Sequence, residues 1–205
     1  MNTNSSATSN SSSEELPTAR FEGDIVVVDS PELLQQATAE IAQLPVVGFD
    51  TESRPSFKRG EKHDVALIQF ATDSKAWLVR TCKVGFQPSI VALLESKTPI
   101  KIGASLRDDS LRLHELAPFT PRGFFELQSA MQKLGIEERS VRKMSERLLG
   151  MRVSKRQQLS NWENDILTEA QQNYAATDAW ICYRLYHHPC LQEFLNASSP
   201  KPLMK

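Results

Sequence analysis

Short apolar runs and amphipathic segments share the first two thirds of the chain, and amphipathic segments dominate the last third. Runs that are rich in β-branched residues and bounded by turn residues predict β-strands, whereas apolar positions with helical spacing predict α-helices. The predicted strands are residues 25–28, 46–51, 65–71, 76–79, 100–103 and 124–125. The predicted helices are residues 31–43, 86–94, one beginning near Ser105, 127–134, 140–149, 168–186 and a short one after Pro189. This order of elements predicts an α/β domain in which a mixed central β-sheet is flanked by α-helices.

Residue types at the predicted boundaries support several of these elements. Asp29 or Ser30 is a suitable N-cap for a helix that has Pro31 in its first turn, and Thr168 is a suitable N-cap for the long late helix. Residues 72–75 are polar and join two strands as a hairpin turn. Trp162 is interpreted as a core aromatic.

Composition places the chain among single globular domains. It has 205 residues, of which 40% are hydrophobic and 24% are charged. Ser, Asn and Thr dominate its beginning, so residues 1–20 are predicted to be a disordered tail. The domain is predicted to span residues 21–196 and to be followed by a C-terminal tail at 197–205.

Charge and cysteine content restrict the partners and the compartment that we expect. The formal net charge of −1 argues against a strongly basic coat, so contacts with nucleic acid would need local patches. Three cysteines without close pairing favour a reducing interior. With no apolar stretch of membrane-spanning length and no signal-peptide pattern, we expect a cytoplasmic protein without a membrane partner.

Two carboxylates end the central predicted strand. Asp50 and Glu52 are two residues apart, so they lie on one face of the strand while Phe49 and Thr51 lie on the other. At roughly 6.6 Å and an effective dielectric of about 20, two such charges repel by roughly 2–3 kcal/mol. A proton, a basic side chain or a divalent cation would neutralise them, and hard oxygen ligands favour Mg²⁺, Mn²⁺ or Ca²⁺. Alternatively, both are turn residues that close the strand.

Further acids lie in two predicted helices. Asp108 and Asp109 fall in the first turns of the helix near Ser105, where acids also favour the helix dipole without any other role. Tyr174 and Asp178 are four residues apart and therefore share one helical face. Alanines at 175, 176 and 179 would let that helix approach another element closely, although a surface Asp beside a core Tyr remains the alternative.

Together, residues 49–52, 103–109 and 174–178 resemble the three exonuclease motifs of the DEDD superfamily. They are most similar to its Tyr-containing (DEDDy) subgroup, which includes ribonuclease D and the exonuclease domain of Werner syndrome helicase. Residues 65–69, 160–162 and 167–169 resemble the Werner-type domain in the same order. The resemblance covers roughly residues 25–190 and implies a ribonuclease H-like fold.

The resemblance also implies an activity and residue roles. It implies a 3′-5′ exonuclease with two Mg²⁺ (or Mn²⁺) ions that releases nucleoside 5′-monophosphates from DNA, with RNA as an alternative polymer. Asp50 would bridge both ions, Glu52 and Asp178 would hold the ion that activates water, and Asp109 would hold the second ion. Tyr174 would orient the attacking water. The spacing from Gly103 favours Asp109 over Asp108 as the motif residue.

Basic residues near these motifs are candidates for a substrate groove. Phosphate contacts of this kind provide affinity without sequence information, and an aromatic such as Phe57 can stack on a base. The predicted substrate-binding residues are Thr51, Arg54, Phe57, Lys58, Arg59, Arg142 and Lys143, and further basic candidates are Lys62, Arg147, Arg152, Lys155 and Arg156. The alternative for each is a solvated surface charge or, for Phe57, a packed aromatic.

Other functions are compatible with the same pattern. A nucleic-acid-binding module with this fold and without catalysis is one alternative, although all the motif carboxylates are present. A divalent-cation phosphatase of small nucleotides is another. A separate helicase or repair protein would be a plausible partner of the exonuclease.

Overall fold

Each predicted apolar run forms a strand of one six-stranded sheet in the computed structural model, which describes residues 15–198. The strands are β1 (Asp24–Val28), β2 (Val46–Ser53), β3 (Val65–Ala71), β4 (Lys75–Val79), β5 (Ile100–Gly103) and β6 (Phe124–Glu126). Their order across the sheet is β1-β4-β3-β2-β5-β6. Strand β3 is antiparallel to both of its neighbours, and the other pairs are parallel. The predicted mixed sheet and α/β class are confirmed.

The helices follow the predicted order with shifted boundaries. They are α1 (Pro31–Ala42), α2 (Thr81–Val84), α3 (Pro88–Glu95), α4 (Leu106–Leu116), α5 (Leu127–Lys133), α6 (Val141–Met144), a π-helical turn (Ser145–Leu149), α7 (Glu169–Tyr186) and α8 (Pro189–Ser198). Ser30 caps α1 by accepting a hydrogen bond from the Leu33 amide at 3.3 Å. Thr168 and Gln171 form a reciprocal capping box at the start of α7, which confirms the predicted N-cap.

Two predicted helices differ from the observed ones. The helix predicted at 86–94 begins at Pro88, because Gly85 has a φ of 72° and ends the preceding α2 there. The helix predicted at 140–149 is divided into α6 and the π-helical turn, which ends at Gly150 with a φ of 63°. Periodicity alone does not distinguish a π-helical turn from an α-helix.

Apolar side chains pack on both faces of the sheet. On one face, Leu67 and Leu78 pack with Ile181 of α7. On the other, Phe49 and Phe70 pack with helices α1, α3 and α4. Because side chains alternate along a strand, Asp50 and Glu52 lie on the face opposite Phe49, as predicted.

Helix α7 lies directly against β2. A Cβ atom placed on Gly48 would be 1.8 Å from the carbonyl oxygen of Ala179. Ala175, Ala176 and Ala179 have no exposed surface (each 0%). The predicted close approach of this alanine-rich face is thereby confirmed, and it brings Asp178 next to the end of β2.

The packed chain begins earlier than the predicted boundary at residue 21. Ala19 donates a backbone hydrogen bond to Arg152 at 2.9 Å, and Arg152 donates one to Pro17 at 2.8 Å. Phe21 is 2% exposed, and its amide donates to the Thr177 hydroxyl at 3.0 Å. The tail assignment at 17–20 is therefore wrong, because these residues pair with the segment around Arg152.

The rest of the predicted tails lies largely outside the described residues. The tail residues outside the description are 1–14 and 199–205. Helix α8 extends to Ser198, past the predicted domain end at residue 196. No helix within residues 15–198 has the length and apolar character that crossing a membrane requires.

We predict that Phe21→Ala lowers the free energy of unfolding by about 3–5 kcal/mol, since it removes a buried aromatic side chain. The Phe21 ring lies 6.1 Å from the Trp180 ring, centroid to centroid. Urea denaturation measures the change. Phe57→Ala is the matched control, since Phe57 is 78% exposed, and its change should stay within about 0.5 kcal/mol. Equal effects of the two substitutions would contradict the packing of the N-terminal segment.

Candidate active site

Three carboxylates meet where β2 ends against α7. One carboxylate oxygen each of Asp50, Glu52 and Asp178 lies within 4.8 Å of the other two. The pairing register of β2 with β3 shifts between Glu52 and Ser53, so the strand is irregular next to this cluster. Residues far apart in the chain thus form one acidic cluster, which includes three of the four predicted metal ligands.

Asp109, the fourth predicted ligand, is hydrogen-bonded to Thr51, which lies between Asp50 and Glu52 on β2. The Thr51 hydroxyl donates a hydrogen bond to its carboxylate at 2.6 Å. Asp109 is half-buried, whereas Asp108 is exposed. Asp109 therefore lies beside the cluster, and its carboxylate is not one of the three that converge. Thr51, predicted to bind substrate, has its hydroxyl engaged with Asp109.

Tyr174 lies one helical turn before Asp178, and its ring packs against Trp162. The ring centroid of Trp162 is 6.0 Å from that of Tyr174, and Trp162 is fully buried (0% exposed), as predicted for a core aromatic. Arg80, only 1% exposed, holds the turn that contains Trp162 by donating to the carbonyl groups of Asn164 and Asp165. Sequence reasoning missed Arg80, since a single arginine after a strand gives no signal of burial.

Burial dominates the electrostatics of the cluster. It raises the pKa of Asp50 well above its usual range, with further contributions from the charges of Asp178, Asp109 and Glu52. Burial, followed by the charge of Asp178, raises the pKa of Glu52 to about 9. Burial also raises the pKa of Asp178 to about 7, although the Tyr174 hydroxyl opposes this shift.

The pKa of Asp109 is raised less, because its carboxylate has favourable partners. Burial raises its pKa to about 6, and the hydrogen bond from Thr51 and the charge of Arg112 oppose that increase. Arg112 also lowers the pKa of Glu52. Sequence reasoning missed Arg112; its position three residues after Asp109 on α4 was the available signal.

The donor set fits divalent cations. Converging carboxylate oxygens are the ligands that Mg²⁺ and Mn²⁺ prefer. A cation there would replace the protons that the raised pKa values otherwise favour. Asp50, Glu52 and Asp178 could hold such an ion, and Asp109, whose charge acts on both Asp50 and Glu52, could take part in a second one.

A cleft of about 390 Å³ opens above the carboxylates. Its walls include Tyr174 and the basic side chains of Arg142 and Lys155. The structure thus brings two of the basic substrate-groove candidates, Arg142 and Lys155, to the carboxylates. The Arg142 Nε also donates to Glu146 at 3.1 Å. Gln158, which also lines the cleft, carries no sequence signal.

Thr51 also lines this cleft, whereas the other predicted substrate-binding side chains, Arg54, Phe57, Lys58, Arg59 and Lys143, do not. Lys143 pairs with Glu146 at 2.8 Å, and Arg54 pairs with Glu163 at 3.4 Å. Phe57, Lys58 and Arg59 are exposed in the connection after β2. Their contacts with substrate stay predictions.

We predict that Asp178→Asn stabilises the metal-free protein at about pH 8. The folded state holds the Asp178 proton up to about pH 7, against a usual pKa of 3.8. As the pH rises between these values, the unfolded chain loses this proton first, so the free energy of unfolding of the wild type falls. The substitution removes that loss, and each kcal/mol gained raises Tm by about 2–4 °C.

Thermal unfolding in EDTA at about pH 8 and about pH 4 measures this effect. The gain in Tm should shrink to a small remainder at the lower pH, where the folded state keeps this proton and the unfolded chain is about half protonated. Asp108→Asn, which changes an exposed acid next to the site, is the control and should not reproduce the gain. A lower Tm for Asp178→Asn at the higher pH would contradict the unfavourable burial of this carboxylate.

Comparison with known proteins identifies exonucleases as relatives of this chain. A family model described as 3′-5′ exonuclease matches residues 25–190. The mouse (Mus musculus) bifunctional 3′-5′ exonuclease/ATP-dependent helicase WRN is 32% identical over 183 residues, covering 84% of this chain and 13% of the mouse protein. A 3′-5′ exonuclease of Arabidopsis thaliana is 32% identical over 146 residues, covering 68% of this chain and 51% of the plant protein. The chain therefore spans no more than about half of either relative.

A solved structure shares the fold. The Nibbler EXO domain of Aedes aegypti superimposes with a TM-score of 0.74 at 20% sequence identity, covering 89% of this chain and 95% of that one. The sheet with helices on both faces is thus the ribonuclease H-like fold of exonuclease domains, as predicted. With the family match over most of the domain and the carboxylate cluster in place, the chain belongs to the 3′-5′ exonuclease family.

Proposed function

We propose that this chain hydrolyses the 3′-terminal phosphodiester of a nucleic acid and releases a nucleoside 5′-monophosphate. The observation that carries this proposal is the convergence of Asp50, Glu52 and Asp178 within 4.8 Å at the floor of a cleft with basic walls. Carboxylates bind metal cations and basic side chains bind phosphates. A cleft that contains both kinds of side chain therefore suits a phosphodiester substrate. The Tyr-containing DEDDy subgroup fits the position of Tyr174 one turn from Asp178.

Two Mg²⁺ or Mn²⁺ ions are the proposed cofactors. When bound, such ions supply a nucleophile at neutral pH and stabilise the attacking and leaving oxygens. Asp50, Glu52 and Asp178 would hold one or both ions, and Asp109 would contribute to the second. Thr51 fixes the orientation of the Asp109 carboxylate through its hydrogen bond.

Tyr174 would act as a hydrogen-bond donor and not as a base. Burial, followed by the charges of Asp178 and Glu52, raises its pKa above the usual value of 10.0. Its hydroxyl therefore keeps its proton at neutral pH and can orient a water molecule or a substrate oxygen. The Trp162 ring behind it limits where that hydroxyl can point.

The proposal also includes the polymer and the partners. DNA is our first choice of polymer and RNA the second, and the two differ by the 2′-hydroxyl that the protein would have to recognise. The name of the mouse relative joins an exonuclease to an ATP-dependent helicase, which supports a separate helicase or repair protein as a partner. A cytoplasmic location stays a prediction.

We predict that the protein shortens a 5′-labelled strand one nucleotide at a time from its 3′ end in Mg²⁺ or Mn²⁺. Single-stranded and recessed-3′ substrates, each in DNA and RNA, identify the polymer. EDTA should abolish the ladder. Asp50→Asn should lower kcat/KM by at least about 100-fold, the order of loss for one electrostatic stabiliser of a transition state.

Two results would contradict this function. Intact substrates under every metal condition, with binding retained, would indicate a nucleic-acid-binding module without catalysis. Release of inorganic phosphate from nucleoside 5′-monophosphates, without shortening of the strand, would indicate a nucleotide phosphatase.

A further inference from the structure

A second cavity with basic walls adjoins the active-site cleft. It has a volume of about 330 Å³. Its walls contain four basic side chains and no acidic one: the basic residues are Arg142, Arg152, Lys155 and Arg156, and Thr18, Val153 and Ser154 complete the lining. A cavity of this composition is suited to an anion.

Three of these four cations have no acidic partner among the described residues. Within residues 15–198, no carboxylate lies within 4.0 Å of the charged groups of Arg152, Lys155 or Arg156, whereas Arg142, Lys143 and Arg147 all form ion pairs with Glu146 or Glu138. Neighbouring like charges repel, and a bound anion relieves that repulsion. Among the basic candidates between residues 142 and 156, unpaired charge within the described part of the chain is therefore confined to Arg152, Lys155 and Arg156.

The backbone that carries these unpaired cations is held in place. Arg152 pairs on both sides with the N-terminal segment, through its hydrogen bonds with Pro17 and Ala19. Val153 is 8% exposed and belongs to the core, and the Arg156 amide donates to the Ser154 hydroxyl at 3.2 Å. The cations are thus presented by an ordered segment, which reduces the entropy lost when they bind a ligand.

This basic cavity is continuous with the active-site cleft. Arg142, Val153, Ser154 and Lys155 line both. A strand whose terminal diester lies at Asp50 and Asp178 can therefore continue past Lys155 towards Arg152 and Arg156. A dinucleotide without a 5′-phosphate carries one phosphate, that of the scissile diester, and therefore has no further phosphate for these cations to bind.

We propose that the basic cavity binds backbone phosphates of the substrate strand on the 5′ side of its terminal phosphodiester. This inference rests on the proposed function and adds the substrate class: polynucleotides longer than a dinucleotide. The cavity supplies affinity and not base recognition, because its charged groups suit phosphate oxygens.

The first test compares kcat/KM for a dinucleotide and for a dodecanucleotide in the wild type and in the double variant Arg152→Gln/Arg156→Gln. For single strands, each phosphate contact contributes about 0.7 to the slope of log K against log salt. At about 0.1 M salt, loss of two contacts should therefore lower the ratio of long-substrate to dinucleotide kcat/KM about 25-fold. Lys133→Gln, which removes an exposed cation outside both cavities, is the matched control and should leave the ratio at the wild-type value.

The second test measures binding without catalysis. Fluorescence anisotropy of a labelled dodecanucleotide is followed against salt in EDTA, with Asp50→Asn as background. The salt slope should fall by about 1.4 in the double variant and stay unchanged with Lys133→Gln.

The two tests separate the inference from the function on which it rests. An unchanged salt slope in the double variant, or no binding of the dodecanucleotide by the background protein, would overturn the phosphate subsite whatever the hydrolysis results. Absence of hydrolysis by the wild type, with the slope reduced as expected, would overturn the exonuclease and retain the phosphate subsite.

Discussion

The contact between helix α7 and strand β2 determines where the chemistry of this protein can occur. Gly48 has no side chain, and Ala179 contributes only a methyl group, so the two backbones approach until a Cβ on Gly48 would be 1.8 Å from the Ala179 carbonyl oxygen. At this separation Asp178 lies next to Asp50 and Glu52. A larger residue at either position would move the helix outward and separate the carboxylates.

The same contact imposes an electrostatic cost on the metal-free fold. Like-charged acids are concentrated where burial disfavours their ionised forms, and the pKa values of all four carboxylates are raised as a result. Buried ionisable groups seldom favour stability unless a partner compensates them. The rest of the fold supplies that stability through apolar packing on both faces of the sheet, and a cation is the partner that would complete the site. Binding of that cation to the folded chain alone would in turn stabilise the fold.

Features that depend on neighbouring residues could be predicted from the sequence. Alternation along β2 placed Asp50 and Glu52 on one face, and the spacing of Tyr174 and Asp178 placed both on one side of α7. Small residues at 175, 176 and 179 indicated a close approach.

Features that depend on distant pairing could not be predicted. Residues 17–21 follow a Ser- and Asn-rich stretch, and only their hydrogen bonds to Arg152 and Thr177 reveal that they are packed. Burial of Arg80 is equally invisible, because its partners are carbonyl groups more than eighty residues away.

The most direct test of this account is a crystal structure of the protein with Mn²⁺, with data collected at the manganese absorption edge. The account predicts an anomalous peak within coordination distance of carboxylate oxygens from Asp50, Glu52 and Asp178, and no such peak in crystals of Asp178→Asn. Crystals of the wild type grown in excess Mn²⁺, in which these three carboxylates converge without a peak between them, would contradict it.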